Sequence, residues 1–264
     1  MNIKNKNCFV FDLDGTVYMG DRPIQGTINF IKNNIGKKGI YFMTNNTSKT
    51  PDEYVERLKR FEINISIDQI ISPFIPLFKY FKDQQIKYIF LLANKKVEQY
   101  ILSHNPDISL TDDINKCEAI VVTFDTELTY EKLKIASLLL QNKNNIRYVA
   151  THPDNVCPTN EGNIPDVGGF MKIIEITSGK RPDFIFGKPN IELLTSVLAK
   201  YNKEECAIVG DRLYTDKKLA DNAMIDFILV LSGETKRHEA ETQEHLPAMI
   251  VDDLGIFNTE NYVL

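Results

Sequence analysis

The sequence Phe9-Val10-Phe11-Asp12-Leu13-Asp14-Gly15-Thr16 places an apolar run directly before two acids and a glycine. The apolar run predicts a buried strand. Alternate residues of a strand share one face, so Asp12 and Asp14 emerge together. Two neighbouring carboxylates repel unless a cation lies between them, and Mg²⁺ is bound by one or two carboxylates together with phosphate oxygens. A carboxylate can also act as a nucleophile. The alternative is an Asp-Gly turn that closes a hairpin.

Similar apolar runs alternate with helical patterns along the chain. They cover residues 8–13, 39–44, 86–93, 118–124, 147–151, 184–187, 206–210 and 227–231. Most are continuously apolar, which is typical of parallel strands covered on both faces. A helix is predicted to begin at Thr50-Pro51, and another covers residues 129–143. The β-α-β-α order therefore predicts an α/β protein.

Composition narrows the class of protein. The 264 residues carry a formal net charge of −5, and 43% of them are hydrophobic. The acidic balance argues against a nucleic-acid partner bound through its phosphates. No apolar run approaches the length of a membrane span, and none resembles a signal segment. We therefore expect a soluble cytoplasmic protein with no membrane or nucleic-acid partner.

Three later segments also place polar side chains at predicted strand ends. Thr44-Asn45-Asn46 offers a hydroxyl and amides that suit phosphate oxygens, or forms an ordinary turn. Lys188 either offsets charge on a carboxylate and a phosphoryl group or is a solvated surface lysine. Asp211 is a candidate third metal ligand. Asp216 either orients that ligand or a metal-bound water, or lies in the first turn of a helix, where its charge suits the helix dipole.

Two further features carry weaker predictions. The stretch 152–169 is rich in proline and glycine, and we expect an irregular loop, which in a compact chain is usually functional or lies at a domain junction. The four histidines show no spacing typical of metal ligands, so we expect structural or surface roles for all of them. His152 differs from the others because it begins the loop.

The four polar segments, in this order, resemble the motifs of the haloacid dehalogenase (HAD) superfamily of hydrolases. Asp12-Leu13-Asp14-Gly15-Thr16 matches the first motif, Thr44 the second, Lys188 the third, and Gly210-Asp211 with Asp216 the fourth. Thr44 follows Asp12 by 32 residues, too few for a cap domain, whereas Lys188 follows Thr44 by 144 residues. This spacing resembles the p-nitrophenylphosphatase/NagD-like branch, whose cap domain lies between motifs two and three.

The resemblance implies a Rossmann-like parallel-sheet core formed by residues 1–80 and 183–264, with an inserted α/β cap domain at 81–182. It implies a Mg²⁺-dependent phosphatase that hydrolyses small-molecule phosphate monoesters, such as a sugar phosphate or a nucleotide, with p-nitrophenyl phosphate as an artificial substrate. The partner would be a small phosphorylated metabolite. A homodimer is suggested by family analogy alone.

The resemblance also implies roles for the site residues. Asp12 would attack phosphorus and become an aspartyl-phosphate, while Asp14 would protonate the leaving oxygen and then deprotonate the hydrolytic water. Mg²⁺ would be held by Asp12, the backbone carbonyl of Asp14, and Asp211. Asp216 would orient a ligand or a metal-bound water without binding the ion itself. The predicted phosphate-binding residues are Thr44, Asn45, Asn46 and Lys188.

Two other functions stay open at this point. A phosphotransferase or mutase would form the same aspartyl-phosphate and pass the phosphoryl group to an alcohol. A non-catalytic phospho-binding module would use the strand ends without turnover. The presence of Asp14 and the large predicted cap argue against the second.

Overall fold

The computed structural model of the protein describes residues 3–159 and 161–258. The strands are β1 (Cys8–Asp12), β2 (Tyr18–Met19), β3 (Arg22–Pro23), β4 (Gly39–Met43), β5 (Ile70–Ile71), β6 (Tyr88–Leu92), β7 (Ser109–Leu110), β8 (Ala119–Val122), β9 (Arg147–Ala150), β10 (Val156–Thr159), β11 (Gly162–Pro165), β12 (Phe184–Ile185), β13 (Cys206–Gly210), β14 (Asp226–Val230) and β15 (Met249–Val251). The helices are α1 (Gln25–Asn34), α2 (Pro51–Arg60), α3 (Phe74–Asp83), α4 (Lys95–His104), α5 (Tyr130–Asn142), α6 (Val167–Ser178), α7 (Thr195–Leu198), α8 (Lys218–Ala223) and α9 (Arg237–Glu241). A π-helical turn at Leu213–Lys217 precedes α8.

The chain forms two compact units. The first combines Met1–Thr44, Pro51–Ile71 and Lys188–Leu264, and the second combines Asn45–Thr50 and Ser72–Gly187. Compactness alone does not define an independently folding domain. The core at 1–80 and 183–264 and the cap at 81–182 therefore stay predictions about domains.

The first unit contains a six-stranded sheet in the order β15-β14-β13-β1-β4-β5. Every pairing in it is parallel. The register aligns Cys8 of β1 with Cys206 of β13 and with Gly39 of β4. This sheet confirms the predicted α/β fold class and puts β1 near its centre.

Side chains of β1 enter two apolar cores in alternation. Phe9 and Phe11 join the cluster that contains Phe30 of α1, whereas Cys8 and Val10 join the cluster on the opposite face. Because both faces are covered, the whole strand is buried, which explains its continuously apolar sequence. This packing on both faces holds β1 in place and thereby positions Asp12 at its carboxyl end.

The second unit is built on a five-stranded sheet in the order β12-β9-β8-β6-β7, again entirely parallel. Buried side chains of α3 and α4 form the core on one face, and those of α5 and α6 form the core on the other. The predicted helices at Pro51 and at residues 129–143 are confirmed as α2 and α5.

The stretch 152–169, expected to be irregular, is partly regular. Strands β10 and β11 pair in antiparallel fashion with Val156 opposite Pro165, and α6 begins at Val167. Gly162 has a φ of +126°, a conformation that favours glycine. Both members of a two-stranded hairpin are edge strands, so prolines are tolerated and hide the strand signal. Among the described residues, no helix is long and apolar enough to cross a membrane.

Candidate active site

Three acids converge in the first unit. Asp12 ends β1, and Asp211 directly follows β13, the parallel neighbour of β1. Parallel strands end at the same edge of a sheet, which is where ligands of open α/β sheets bind. Asp216, in the π-helical turn, joins them: one carboxylate oxygen from each acid lies within 4.8 Å of the others.

Lys188 links two of these acids. Its Nζ donates to Oδ1 of Asp12 at 2.5 Å and to Oδ1 of Asp216 at 2.6 Å. Burial lowers the pKa of Lys188, but the charges of Asp12 and Asp216 outweigh that effect, so the pKa lies above its ordinary value. The side chain is 3% exposed, so Lys188 is a buried, protonated partner of the acids and not a surface lysine.

Negative charge is in excess at this cluster. Three buried carboxylates and one ammonium group sum to a formal charge of −2. Burial, together with the charges of Asp216 and Asp211, raises the pKa of Asp12 well above its ordinary value, although Lys188 opposes the shift. Burial and the charge of Asp216 raise the pKa of Asp211 to about 7. A bound cation would offset the repulsion among these buried carboxylates and favour their ionised forms.

Asp211 lies in a cradle formed by two glycines. A Cβ atom at Gly15 would lie 2.4 Å from Oδ2 of Asp211, and one at Gly233 would lie 1.9 Å from the same oxygen. Gly15 also has a φ of +92°, which favours glycine. The N–H of Glu234 donates to Oδ2 at 2.7 Å. The sequence alone predicts no role for Gly233, whose only signal is a Ser-Gly pair after an apolar run.

The cluster suits a hard divalent cation. Its donors are oxygens, and a single divalent ion balances the formal charge of −2. Within residues 3–159 and 161–258, Oδ1 of Asp211 is buried without a hydrogen-bond partner, so it is available as a ligand atom. Asp216 differs, because Lys188 occupies its Oδ1 and the N–H of Arg212 donates to its Oδ2 at 3.2 Å. Asp216 therefore fits a positioning role better than direct ligation.

Thr44 and Asp14 also belong to the first unit. Thr44 follows β4 and is buried, and its N–H donates to the carbonyl of Ile71 at 3.0 Å. Asp14 is exposed in the turn after β1, where the N–H of Gly15 donates to the carbonyl of Tyr18 at 2.7 Å. The close approach of Gly15 to Asp211 keeps this turn beside the acids.

Asn45 and Asn46 belong to the second unit. Asn45 Nδ2 donates to Oδ2 of Asp154 at 3.0 Å. Oδ1 of Asn46 accepts the N–H of Ser48 at 2.9 Å, an Asx turn of the kind considered as the alternative for this segment. Phosphate binding by these two residues stays a prediction.

Comparison with known proteins identifies the family. The model of the haloacid dehalogenase-like hydrolases matches residues 9–107, and a second HAD-hydrolase-like model matches residues 185–256. A crystal structure of 4-nitrophenylphosphatase from Thermotoga maritima is 35% identical, covers 97% of this chain and 97% of its own, and superposes with a TM-score of 0.86. A structure described as a putative nagD protein is 34% identical over 96% of this chain and 98% of its own, with a TM-score of 0.84. The chain belongs to the haloacid dehalogenase-like hydrolase family.

Curated relatives agree with this assignment. Acid sugar phosphatase of Staphylococcus haemolyticus is 28% identical over 98% of this chain and 97% of its own length. The predicted family and the predicted enzyme class, a phosphoric monoester hydrolase, are thereby confirmed.

Proposed function

We propose that the protein is a Mg²⁺-dependent phosphatase that hydrolyses small phosphate monoesters through an aspartyl-phosphate on Asp12. The observation that carries this proposal is the buried contact of 2.5 Å between Lys188 Nζ and Asp12 Oδ1, at the edge of the sheet where Asp211 presents an unpaired oxygen. The relatives named 4-nitrophenylphosphatase and acid sugar phosphatase favour a small ester, with sugar phosphates as the leading class.

Asp12 is the nucleophile in this reaction. Lys188 holds its Oδ1, which leaves Oδ2 to attack phosphorus. Because Lys188 is protonated and buried, its charge also stabilises the phosphoryl group during transfer. A Mg²⁺ ion held by Asp12, Asp211 and the backbone carbonyl of Asp14 would supply further positive charge that keeps the carboxylates ionised and neutralises the phosphate.

Asp14 is the acid and then the base. When the bond between Oδ2 of Asp12 and phosphorus forms, the ester bond breaks and Asp14 gives its proton to the leaving oxygen. Water then attacks the phosphorus of the aspartyl-phosphate and passes a proton to Asp14, which releases phosphate and restores Asp12. The exposed position of Asp14 suits a group that must reach both the leaving oxygen and water. Thr44, with Asn45 and Asn46 next to it in sequence, binds the phosphate oxygens.

The test is phosphate release from a panel of esters, with Mg²⁺ and with EDTA. The panel contains p-nitrophenyl phosphate, nucleoside monophosphates, sugar phosphates, glycerol phosphate, phosphoglycolate and pyridoxal phosphate. Wild type is compared with Asp12→Asn and with Asp21→Asn, a control acid whose side chain is fully exposed in the β2–β3 turn.

We expect Mg²⁺-dependent release by wild type and by Asp21→Asn, and a loss of at least about a thousandfold in Asp12→Asn. Near-full activity of Asp12→Asn would contradict the assignment of the nucleophile. Activity that appears only when a sugar acceptor is added would identify a phosphotransferase.

A further inference from the structure

The second unit contains a buried cluster that the proposed reaction does not use. His152 and Asp154 lie in the loop after β9, and Asp166 caps the N-terminus of α6. One ligand atom from each of the three lies within 4.8 Å of the others. The residues are 0%, 7% and 4% exposed, respectively.

Two of the three side chains are already hydrogen-bonded to each other. Nε2 of His152 lies 2.9 Å from Oδ1 of Asp166, which also accepts the N–H of Val167 at 2.7 Å. Asp154 is different: Asn45 donates to its Oδ2, but its Oδ1 is buried and has no partner within the described ranges. A buried carboxylate oxygen without a donor is costly, and it distinguishes this cluster from an ordinary His–Asp pair.

We propose that His152, Asp154 and Asp166 bind a divalent transition-metal ion. One imidazole nitrogen and two carboxylates form a donor set that suits Zn²⁺, Mn²⁺ or Co²⁺, whereas Mg²⁺ prefers oxygen ligands. Two donors at about 2.1 Å from one ion lie at most roughly 4.2 Å apart. This limit is comparable with the 4.8 Å within which the three ligand atoms lie. The ion also neutralises two buried carboxylates.

Thr151 holds the imidazole in place for this role. Its Oγ1 lies 3.1 Å from Nδ1 of His152 and 3.4 Å from the carbonyl of Val122. When Nε2 binds the ion, the ring proton resides on Nδ1, and Thr151 accepts it while turning its own hydrogen toward Val122. Ligating histidines usually donate their second ring N–H to such a partner, which fixes the ring orientation.

The backbone also prepares the site. The N–H of Gly168 donates to the carbonyl of Asp154 at 2.7 Å, so the loop already contacts the first turn of α6. A Cβ atom at Gly168 would lie 2.4 Å from the carbonyl oxygen of Pro153, so only glycine permits this approach. The ion therefore ties together two segments that the fold holds side by side.

The experiment uses the full chain with Asp12→Asn and Asp211→Asn, which removes two of the three clustered acids of the first unit, including the proposed nucleophile, and so separates this test from the proposed phosphatase activity. After treatment with a chelator, binding of Zn²⁺ and Mn²⁺ is measured by calorimetry, and binding of Co²⁺ by its visible absorption. We expect one equivalent of ion and a melting temperature several degrees higher with Zn²⁺.

Further substitutions in this background locate the ion. Asp154→Asn and Asp166→Asn should each weaken binding at least about tenfold, and His152→Gln should change the Co²⁺ spectrum. Asp125→Asn is the matched control: a buried acid of the same unit, paired with Lys132 at 2.6 Å and outside the cluster. The Asp125→Asn variant should still bind one equivalent of the ion.

Two results would overturn the proposal. One is the absence of binding by the background protein for all three ions up to the millimolar range. The other is unchanged affinity after both Asp154→Asn and Asp166→Asn. If either variant unfolds, the Co²⁺ spectrum of the background protein decides: bands like those of cobalt in buffer alone would exclude ligation by the imidazole.

Discussion

Asp216 accepts a hydrogen bond of 2.6 Å from the ammonium group of Lys188, although 28 residues separate the two in sequence. The other oxygen of Asp216 accepts the N–H of Arg212 at 3.2 Å. A Cβ atom at Gly210 would lie 2.5 Å from the Cβ of Asp216, so the acid is packed tightly against the end of β13. Asp216 thus holds Lys188 in place beside Asp12.

Asp216→Asn should reduce catalysis without abolishing it. The variant removes a charge that raises the pKa of Lys188 and loosens the position of its ammonium group. We expect kcat/KM to fall about 10- to 100-fold, mostly through kcat, with a larger fall for Lys188→Met. The matched control is Asp221→Asn, an acid on α8 that pairs with Lys217 at 2.7 Å. If both aspartate variants behave alike, the positioning role is wrong.

Gly233→Ala should weaken the response to Mg²⁺. The new methyl group would lie 1.9 Å from Oδ2 of Asp211, so the carboxylate must move. We expect the Mg²⁺ concentration for half-maximal activity to rise at least about tenfold. Gly179→Ala serves as the control, because its φ of +69° makes it destabilising although no atom lies within 4 Å of the new methyl. An equal effect of both variants on Mg²⁺ dependence would show that only lost stability is measured.

Asp211→Asn should stabilise the metal-free protein at neutral and higher pH. In the folded, metal-free state the pKa of Asp211 is about 7, whereas its ordinary value is 3.8. Between these values the folded state binds more protons than the unfolded state, so the free energy of unfolding falls as pH rises from about 4 to about 7. Asparagine does not titrate, so the Asp211→Asn variant lacks this fall in the free energy of unfolding.

Urea unfolding in EDTA measures this difference. At about pH 8 Asp211→Asn should exceed wild type in free energy of unfolding by an amount on the order of a few kcal/mol, and the gap should close near pH 4. Mg²⁺ should narrow the gap at pH 8 by stabilising wild type alone. A gap that does not depend on pH would contradict the raised pKa.

The eight apolar runs were sufficient to predict the main strands of both sheets. The same patterns gave no sign of β5 (Ile70–Ile71) or β15 (Met249–Val251). These strands are too short for a periodic pattern, and each pairs with a single neighbour, β4 or β14, at an edge of the sheet. Their edge positions thus depend on tertiary context.

The positions of polar residues at strand ends, together with the family resemblance, predicted Asp12, Asp211 and Asp216. They did not predict the contacts that hold these side chains in place. The distance between Lys188 and Asp216 and the fit of Gly233 against Asp211 arise from contacts between distant segments. The group of His152, Asp154 and Asp166 is a further example. Its members come from a loop and from the start of a helix, and such sets have no fixed spacing in sequence. The structural or surface role expected for His152 therefore did not predict its grouping with the two acids.

Trapping the covalent intermediate tests the central claim most directly. Wild type, Asp12→Asn and Asp21→Asn are mixed with an ester carrying radioactive phosphate and quenched in acid within the first turnover, and their peptides are separated. We expect hydroxylamine-sensitive label on the peptide that contains Asp12 in wild type and in Asp21→Asn, and none in Asp12→Asn. Label on a different peptide, or undiminished phosphate release by Asp12→Asn, would contradict the account.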